Sequence, residues 1–271
     1  MRQPLKLAIG GLGAIGMAVA HKVDSGGLPG IDLVAVAARD QSKAQAKLAG
    51  LRNRTMLVPL GQLADHADIV LECVPARHFA EIAEPTVARG RILMPLSVGQ
   101  LLTHMHLVET AKATGARILV PTGALLGLDA VRAVAEGKVE SVRITTRKPP
   151  RGLAGAPHLV KNAISVEGLT APLKVFEGNA REAIIGFPAN VNVAVALSLA
   201  GIGPDRTMIE IWADPGVDRN VHTIEVRSDS SDLTMTIANI PSIENPATGK
   251  VTALSAIAAL RRLTASLVVG T

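Results

Sequence analysis

A doubly wound parallel sheet followed by a second α/β domain with a mixed or antiparallel sheet is the architecture predicted by three features of this 271-residue chain. First, an apolar segment, Leu5-Lys6-Leu7-Ala8-Ile9, runs into the glycine turn Gly11-Leu12-Gly13-Ala14-Ile15-Gly16 and then straight into a helical pattern, Met17 to Val23. Second, short apolar strands alternate with helices from there to about residue 121, the pattern of parallel β-α-β units. Third, beyond about residue 125 strands follow strands, which calls for a different kind of sheet.

Strand, glycine turn and helix form the context in which G-x-G-x-x-G reads as a dinucleotide fingerprint. Gly11 allows the tight turn, Gly13 admits a pyrophosphate to the backbone, and Gly16 lets helix and strand lie close together. Gly11, Gly13, Ala14, Ile15 and Gly16 are therefore candidate cofactor-binding residues of a Rossmann domain, where the helix N-terminus offers N–H groups to phosphate. The second strand, Ile31 to Ala38, ends in Arg39-Asp40. An acid near this point binds a free ribose 2′-OH, and an Arg accommodates a 2′-phosphate. Arg39 comes first, and neighbouring strand residues point to opposite sides. Arg39 is thus the candidate for the 2′-phosphate of NADP, with NAD accepted as well.

The alternation continues through a helix from Gln41 to Leu51, a strand from Thr55 to Leu60, a short helix from Gly61 to His66, and a strand from Asp68 to Pro75. A helix from Phe79 to Arg89, a strand with its exit loop from Arg91 to Gly99, a helix from Leu101 to Thr114 and a strand from Ala116 to Pro121 complete it. Ligands of such sheets lie beyond the carboxyl ends of the strands. The loops Cys73-Val74-Pro75, Ser97-Val98-Gly99 and Thr122-Gly123-Ala124 are therefore expected to face the cofactor.

In the second half a helix from Leu128 to Glu136 leads to a strand from Val139 to Thr146 and a basic Pro/Gly-rich loop, Arg147 to Gly152. Helices are expected over Asn179 to Ile185 and Ala189 to Leu199, and strands over Arg206 to Ala213, Val221 to Ser228 and Leu233 to Ile240. Val251 to Leu267 reads as a closing amphipathic helix, its apolar stripe formed by Ala253, Ile257, Leu260 and Leu263 or Thr264. This helix is expected to return to the nucleotide domain. The domain reading is a Rossmann domain over residues 1–124, a substrate domain over 125–246 and the returning helix over 247–271.

Hydrophobic residues make up 48% of the chain and aromatic residues 1%, with no Tyr, so the core must come from Ala, Val, Leu and Ile. That suits a parallel sheet covered on both faces. The net charge of +5 comes from scattered basic residues without an aromatic stacking set, which argues against nucleic acid and for anionic small ligands. No apolar run reaches the roughly 18 residues of a membrane span. The N-terminus has no apolar signal region, and the single cysteine, Cys73, excludes an intrachain disulfide. A cytoplasmic location is expected.

No metal site is expected, because there is no Cys pair and His104 and His106 fall on different faces of a helix. No nucleophile elbow is present, and Cys73 reads as a packed residue. Asn190 and Asn192 stand at a helix start. His222 opens a strand, and a near-neutral His suits proton transfer when a hydride leaves an adjacent C–H; a satisfied strand histidine is the competing reading. Arg147, Lys148 and Arg219 are candidates to hold substrate carboxylates.

The chain resembles the L-aspartate dehydrogenase family over nearly its whole length. The resemblance is carried by the glycine turn, by Thr122-Gly123-Ala124-Leu125-Leu126-Gly127-Leu128-Asp129 and by Phe187-Pro188-Ala189-Asn190-Val191-Asn192-Val193-Ala194. Asp218-Arg219-Asn220-Val221-His222 and Asn239-Ile240-Pro241-Ser242-Ile243-Glu244-Asn245-Pro246 complete it. The resemblance implies oxidation of L-aspartate to iminoaspartate with NAD or NADP. The imine feeds NAD biosynthesis or hydrolyses to oxaloacetate and ammonia. It further implies a catalytic His at His222, cofactor contacts at Ala124 and Asn190, and a homodimer. Thr122 stands where members often have Ser, which keeps the hydroxyl. Homoserine dehydrogenase, dihydrodipicolinate reductase and a non-catalytic nucleotide-binding sensor are the alternatives on the same fold.

Overall fold

The computed structural model describes residues 3–188, 191–242 and 249–270. It divides into two compact units, Met1–Pro121 with Thr252–Val268, and Thr122–Val251 with Val269–Thr271.

In the first unit β1 (Leu5–Gly10), α1 (Ala14–Asp24), β2 (Ile31–Ala37), α2 (Gln41–Leu48), β3 (Met56–Leu57) and α3 (Leu63–His66) are followed by β4 (Ile69–Glu72), α4 (Phe79–Ala88), β5 (Ile92–Pro95), α5 (His106–Thr114) and β6 (Arg117–Ile118). The six strands form one parallel sheet in the order β3-β2-β1-β4-β5-β6, the predicted doubly wound arrangement. The chain reverses its direction of winding between β1 and β4, so the crevice for a ligand opens beyond the carboxyl end of β1. Leu7, Ala8 and Ile9 of β1 are fully buried, as a strand covered on both faces requires. The helix predicted over Leu101 to Thr114 is two pieces. A tight 3-10 segment, Val98–Thr103, ends before α5, and His104 lies between them. His104 Nδ1 lies 2.8 Å from the Gln100 carbonyl oxygen, and such local side chain–backbone bonding competes with a continuous helix.

The second unit contains α6 (Leu128–Ala135), β7 (Val139–Lys148), α7 (Pro157–Lys161), β8 (Leu173–Asn179), α8 (Ala180–Gly186), α9 (Asn192–Ala200), β9 (Thr207–Ala213), β10 (Val221–Ser228) and β11 (Asp232–Ala238). Its sheet has the order β11-β10-β7-β9-β8. Only β7 and β9 pair in parallel and the rest pair antiparallel, so the sheet is mixed. Two expectations change. β8 is an additional strand, and β7 runs on through Arg147 and Lys148, which the sequence placed in a loop. Both residues are tied into the sheet: Arg147 pairs with Val221 and Trp212, and Lys148 with Ala213. The Pro149-Pro150 that follows lacks amide donors and ends the strand. α8 starts on a capping box in which the Asn179 side chain accepts from Glu182 N and the Glu182 carboxylate accepts from Asn179 N.

The closing helix, α10 (Lys250–Thr264), packs its residues from Thr252 onward into the first unit, the predicted return. Its buried stripe is rotated from the expected one. Ala256 and Leu260, one turn apart, are fully buried in the core with Leu7, Val19, Val23 and Leu28, while Ile257 and Leu263 only flank it. Arg261 donates to the Gly27 carbonyl at 2.7 Å and Thr264 to that of Pro29 at 3.0 Å. Removing a buried Leu side chain costs about 2–5 kcal/mol. Leu260→Ala is expected to lower unfolding free energy in urea by that amount; a loss under about 0.5 kcal/mol, typical of surface sites, would show that the helix is not anchored there.

Candidate active site

The first unit supplies a phosphate cradle at the end of β1. Gly11 has φ +100°, and a Cβ there would stand 2.6 Å from the Cys73 carbonyl oxygen. A Cβ at Gly16 would lie 1.9 Å from the Gly11 oxygen, so turn and helix touch through their backbones. Gly13 differs: a Cβ there would meet nothing within 4 Å. It caps α1 with no side-chain hydrogen bond, so the first N–H groups of the helix, including those of Ala14 and Ile15, have no capping side chain. The residues present fit a dinucleotide pyrophosphate. Sequence reasoning missed Lys47, whose Nζ donates to the Leu12 carbonyl at 2.7 Å and ties α2 to the glycine turn.

Around this cradle the strand-end loops are held from below. Glu72, fully buried, accepts from Val74 N at 3.1 Å, Ser97 N at 3.0 Å and Ser97 Oγ at 3.0 Å, which joins the loops after β4 and β5. Burial pushes its carboxyl up, against the pull of those donors. The Cys73 thiol donates to the Gly10 and Gly11 carbonyls, and burial pushes it up, away from the thiolate form. Arg39 is exposed at the end of β2. Asp40 caps α2, accepting from Lys43 N at 3.0 Å, and that backbone hydrogen bond lowers its pKa.

The second unit supplies a polar cluster at one end of a buried sheet face. Along β7 from Val142 onward the buried positions are Val142, Ile144, Thr146 and Lys148, so strand alternation places them on one face. His222 of β10 stands opposite Thr146, and Ile224 and Val226 stand opposite Ile144 and Val142. Val142, Ile144, Ile224 and Val226, with Thr207 of β9 beside Val142, thus line this face until it reaches Thr146, Lys148 and His222. Asn239 joins them just past β11: its N–H donates to the Asn220 carbonyl at 2.8 Å, and it shares the parity of Ile237, the partner of His222.

His222 is 2% exposed, and its Nδ1 lies 3.0 Å from Thr146 Oγ1, which fixes the ring. Burial first, and then the charge of Lys148, lower its pKa to about 3. It is therefore a neutral imidazole at pH 7, with a nitrogen lone pair free of a proton, and a weaker base than the near-neutral His expected from the sequence. The unfolded chain takes up this proton near pH 6.5 and the folded chain only near 3, so this group weakens the fold as pH falls through that window. The Asn239 amide donates to the Ala124 carbonyl at 3.0 Å and so holds the Thr122-Gly123-Ala124 turn. Its Oδ1 is a buried acceptor without a donor among the described residues, an acceptor available to a ligand amide. The sequence marks Asn239 only as the first residue of a motif that carries the resemblance, inside the strand expected over Leu233 to Ile240, and assigns it no role.

The other candidates lie elsewhere. Arg147 is on the opposite face of β7, 4.9 Å over the Trp212 ring and 2.9 Å from Asp214 Oδ2. Arg219 grips its neighbour Asp218 through two bonds of 2.6 and 2.8 Å in an exposed loop. Asn190 lies outside the described residues, as do Ile243 to Pro246. Among the described residues no group of His, Cys, Asp and Glu side chains could hold a metal ion.

Two family models match the chain: "Homoserine dehydrogenase, NAD binding domain" over residues 11–121 and "Aspartate dehydrogenase, C-terminal" over residues 129–263. The L-aspartate dehydrogenase of Bradyrhizobium diazoefficiens is 56% identical, over 98% of this chain and 94% of that protein. L-aspartate dehydrogenase 3 of Bordetella bronchiseptica is 53% identical, over 100% and 99%. The crystal structure of an aspartate dehydrogenase from Thermotoga maritima superposes with a TM-score of 0.75 at 24% identity, covering 98% of this chain and 99% of that one, so the two share a fold.

The open space at Gly13 gives a direct test of the cradle. Gly13→Ala is expected to cost the fold less than about 1 kcal/mol while weakening NAD(P) on the order of tenfold, the effect of a methyl group forced into a close contact. Thermal melting and cofactor titration measure the two. Unchanged cofactor affinity would place the pyrophosphate elsewhere.

Proposed function

The chain belongs to the L-aspartate dehydrogenase family, and on that premise we propose that His222 is the base of its NAD(P)-dependent oxidation of L-aspartate. The reaction converts L-aspartate to iminoaspartate, which water hydrolyses to oxaloacetate and ammonia. The observation that carries the assignment is His222 itself, a neutral, buried imidazole held by Thr146 beside a buried cation. When bound, NAD(P)+ supplies the acceptor for the hydride that leaves Cα.

This chain's residues do the rest. With Nδ1 engaged by Thr146, Nε2 of His222 is the atom that takes the proton from the substrate ammonium, so that nitrogen can form the C=N bond as the hydride departs. The Asn239 amide keeps the Ala124 turn in place, and Ala124 and Asn190 are the proposed cofactor contacts, as the family resemblance implies. Gly11, Gly13, Ala14, Ile15 and Gly16 are the proposed pyrophosphate site. Orientation of the reacting atoms accounts for a large share of the acceleration, up to roughly 7–11 kcal/mol for well-held reactants. The proposed setting is a cytoplasmic homodimer. The family resemblance supports the dimer, and a lone, half-buried Cys73 suits a reducing compartment. The proposed division of labour assigns residues 1–124 to the cofactor and 125–246 to the substrate, with 247–271 as the returning segment.

His222→Ala is expected to lower kcat for aspartate by roughly 10²–10⁴-fold, the usual contribution of general acid–base catalysis, with cofactor affinity preserved. Steady-state reduction of NAD+ and NADP+ with a panel of amino acids checks both the substrate and the role. Turnover near that of the unaltered protein would remove His222 from the chemistry, and preference for another amino acid would remove aspartate.

Cofactor choice is proposed to rest on Arg39. Its guanidinium is exposed at the end of β2, while the Asp40 carboxylate is taken up by the cap of α2. Arg39→Ala is expected to weaken NADP on the order of tenfold more than NAD, the scale of one charge-assisted hydrogen bond. Equal losses for the two cofactors, read as Michaelis constants, would return the 2′ position to Asp40.

A further inference from the structure

We propose that the Lys148 ammonium binds a carboxylate of the dicarboxylate substrate beside His222, an assignment that rests on the functional reading above. Three cations stood as candidates for this task, and the sheet separates them. Arg147 points to the other face, where it stacks on Trp212 and pairs with Asp214. Arg219 is engaged by Asp218. Lys148 alone of the three shares a face with His222, two residues along β7 from the Thr146 that holds the ring. An ammonium carries three N–H donors, so a carboxylate oxygen can be added to a bond made within the protein.

Burial makes the placement expensive. Lys148 is 6% exposed, and burial pushes its pKa down to about 8. An unfolded lysine titrates near 10.5, so this group opposes folding as pH falls through the interval from about 10.5 to about 8, and the full cost persists below. At neutral pH it is nevertheless a cation, buried at one end of a sheet face. A group retained at a cost to stability is characteristic of a functional site. A substrate carboxylate offsets the buried charge. It also cancels the positive potential that depresses the His222 pKa, so the base strengthens when substrate arrives.

Lys148→Met keeps the length of the side chain and removes its charge. Succinate, a dicarboxylate that has no amine and cannot react, is the probe, with aspartate turnover, NAD(P)+ titration and thermal melting at pH 7 alongside. The expected result is a rise of tenfold to a hundredfold in the inhibition constant of succinate and in KM for aspartate. NAD(P)+ affinity should be unchanged, and the melting temperature should be equal or higher. Parental succinate inhibition in the variant would overturn the proposal. So would an equal loss for NAD(P)+, which would assign Lys148 to the cofactor, or a fall in melting temperature of the kind a structural ion produces. If the unaltered protein turns over aspartate and the variant still binds succinate normally, only Lys148 is misassigned. If the unaltered protein ignores aspartate, the functional reading falls and this proposal with it.

Discussion

The pairing of β7 with strands on both sides is the constraint on which the second unit depends. β7 lies at the centre of the five-stranded sheet, hydrogen-bonded to β10 and to β9. Its side chains have no freedom to change face, because a slip of one residue would exchange the buried set for the exposed one. Val142 and Ile144 anchor the register by burial. Once they are fixed, Thr146 and Lys148 must continue onto the same face, and Arg147 must turn to the other. The antiparallel partner then delivers His222 opposite Thr146. The polar cluster is thus a by-product of a hydrophobic register, held as rigidly as the core that sets it.

The first unit works through a different constraint, the closeness of backbones. Small residues make this possible: with almost no aromatic side chains, β1, β2 and their covering helices meet through Ala, Val, Leu and Ile. The contact between the Gly11 carbonyl and Gly16 draws the start of α1 against the end of β1. That leaves the first N–H groups of the helix over the crevice, beside an open position at Gly13. Glu72 below and Lys47 at the side hold the surrounding loops without entering that space. Rigidity around such a cradle is what binding of a pyrophosphate by backbone groups requires.

Much of this was legible in the residues. The glycine spacing, the alternation of strands and helices and the apolar α10 stripe all carry strong periodic signals, and the two sheets follow from them. β8 was not legible. Leu173-Lys174-Val175-Phe176-Glu177 is an edge strand with mostly exposed side chains, so burial imposes no clear alternation on it. The end of β7 was hidden by Pro149-Pro150, which made Arg147-Lys148 look like the start of a loop. For the same reason the sequence could name Arg147, Lys148 and Arg219 as cations but could not separate them, since their difference lies in strand parity. Asn239 and Lys47 act by reaching backbone carbonyls 115 and 35 residues away, and no local pattern marks such contacts. The neutral state of His222 likewise depends on burial and on Lys148, both set by the sheet.

The central claim is that this fold removes a hydride from the Cα of L-aspartate while His222 takes the proton. Its most direct test is to supply L-aspartate carrying deuterium at Cα and to examine the reduced nicotinamide by mass spectrometry and NMR. The account requires one deuterium per turnover on the nicotinamide ring, transferred to a single face, with none lost to water. Reduced cofactor free of deuterium, or deuterium distributed over both faces, would contradict it.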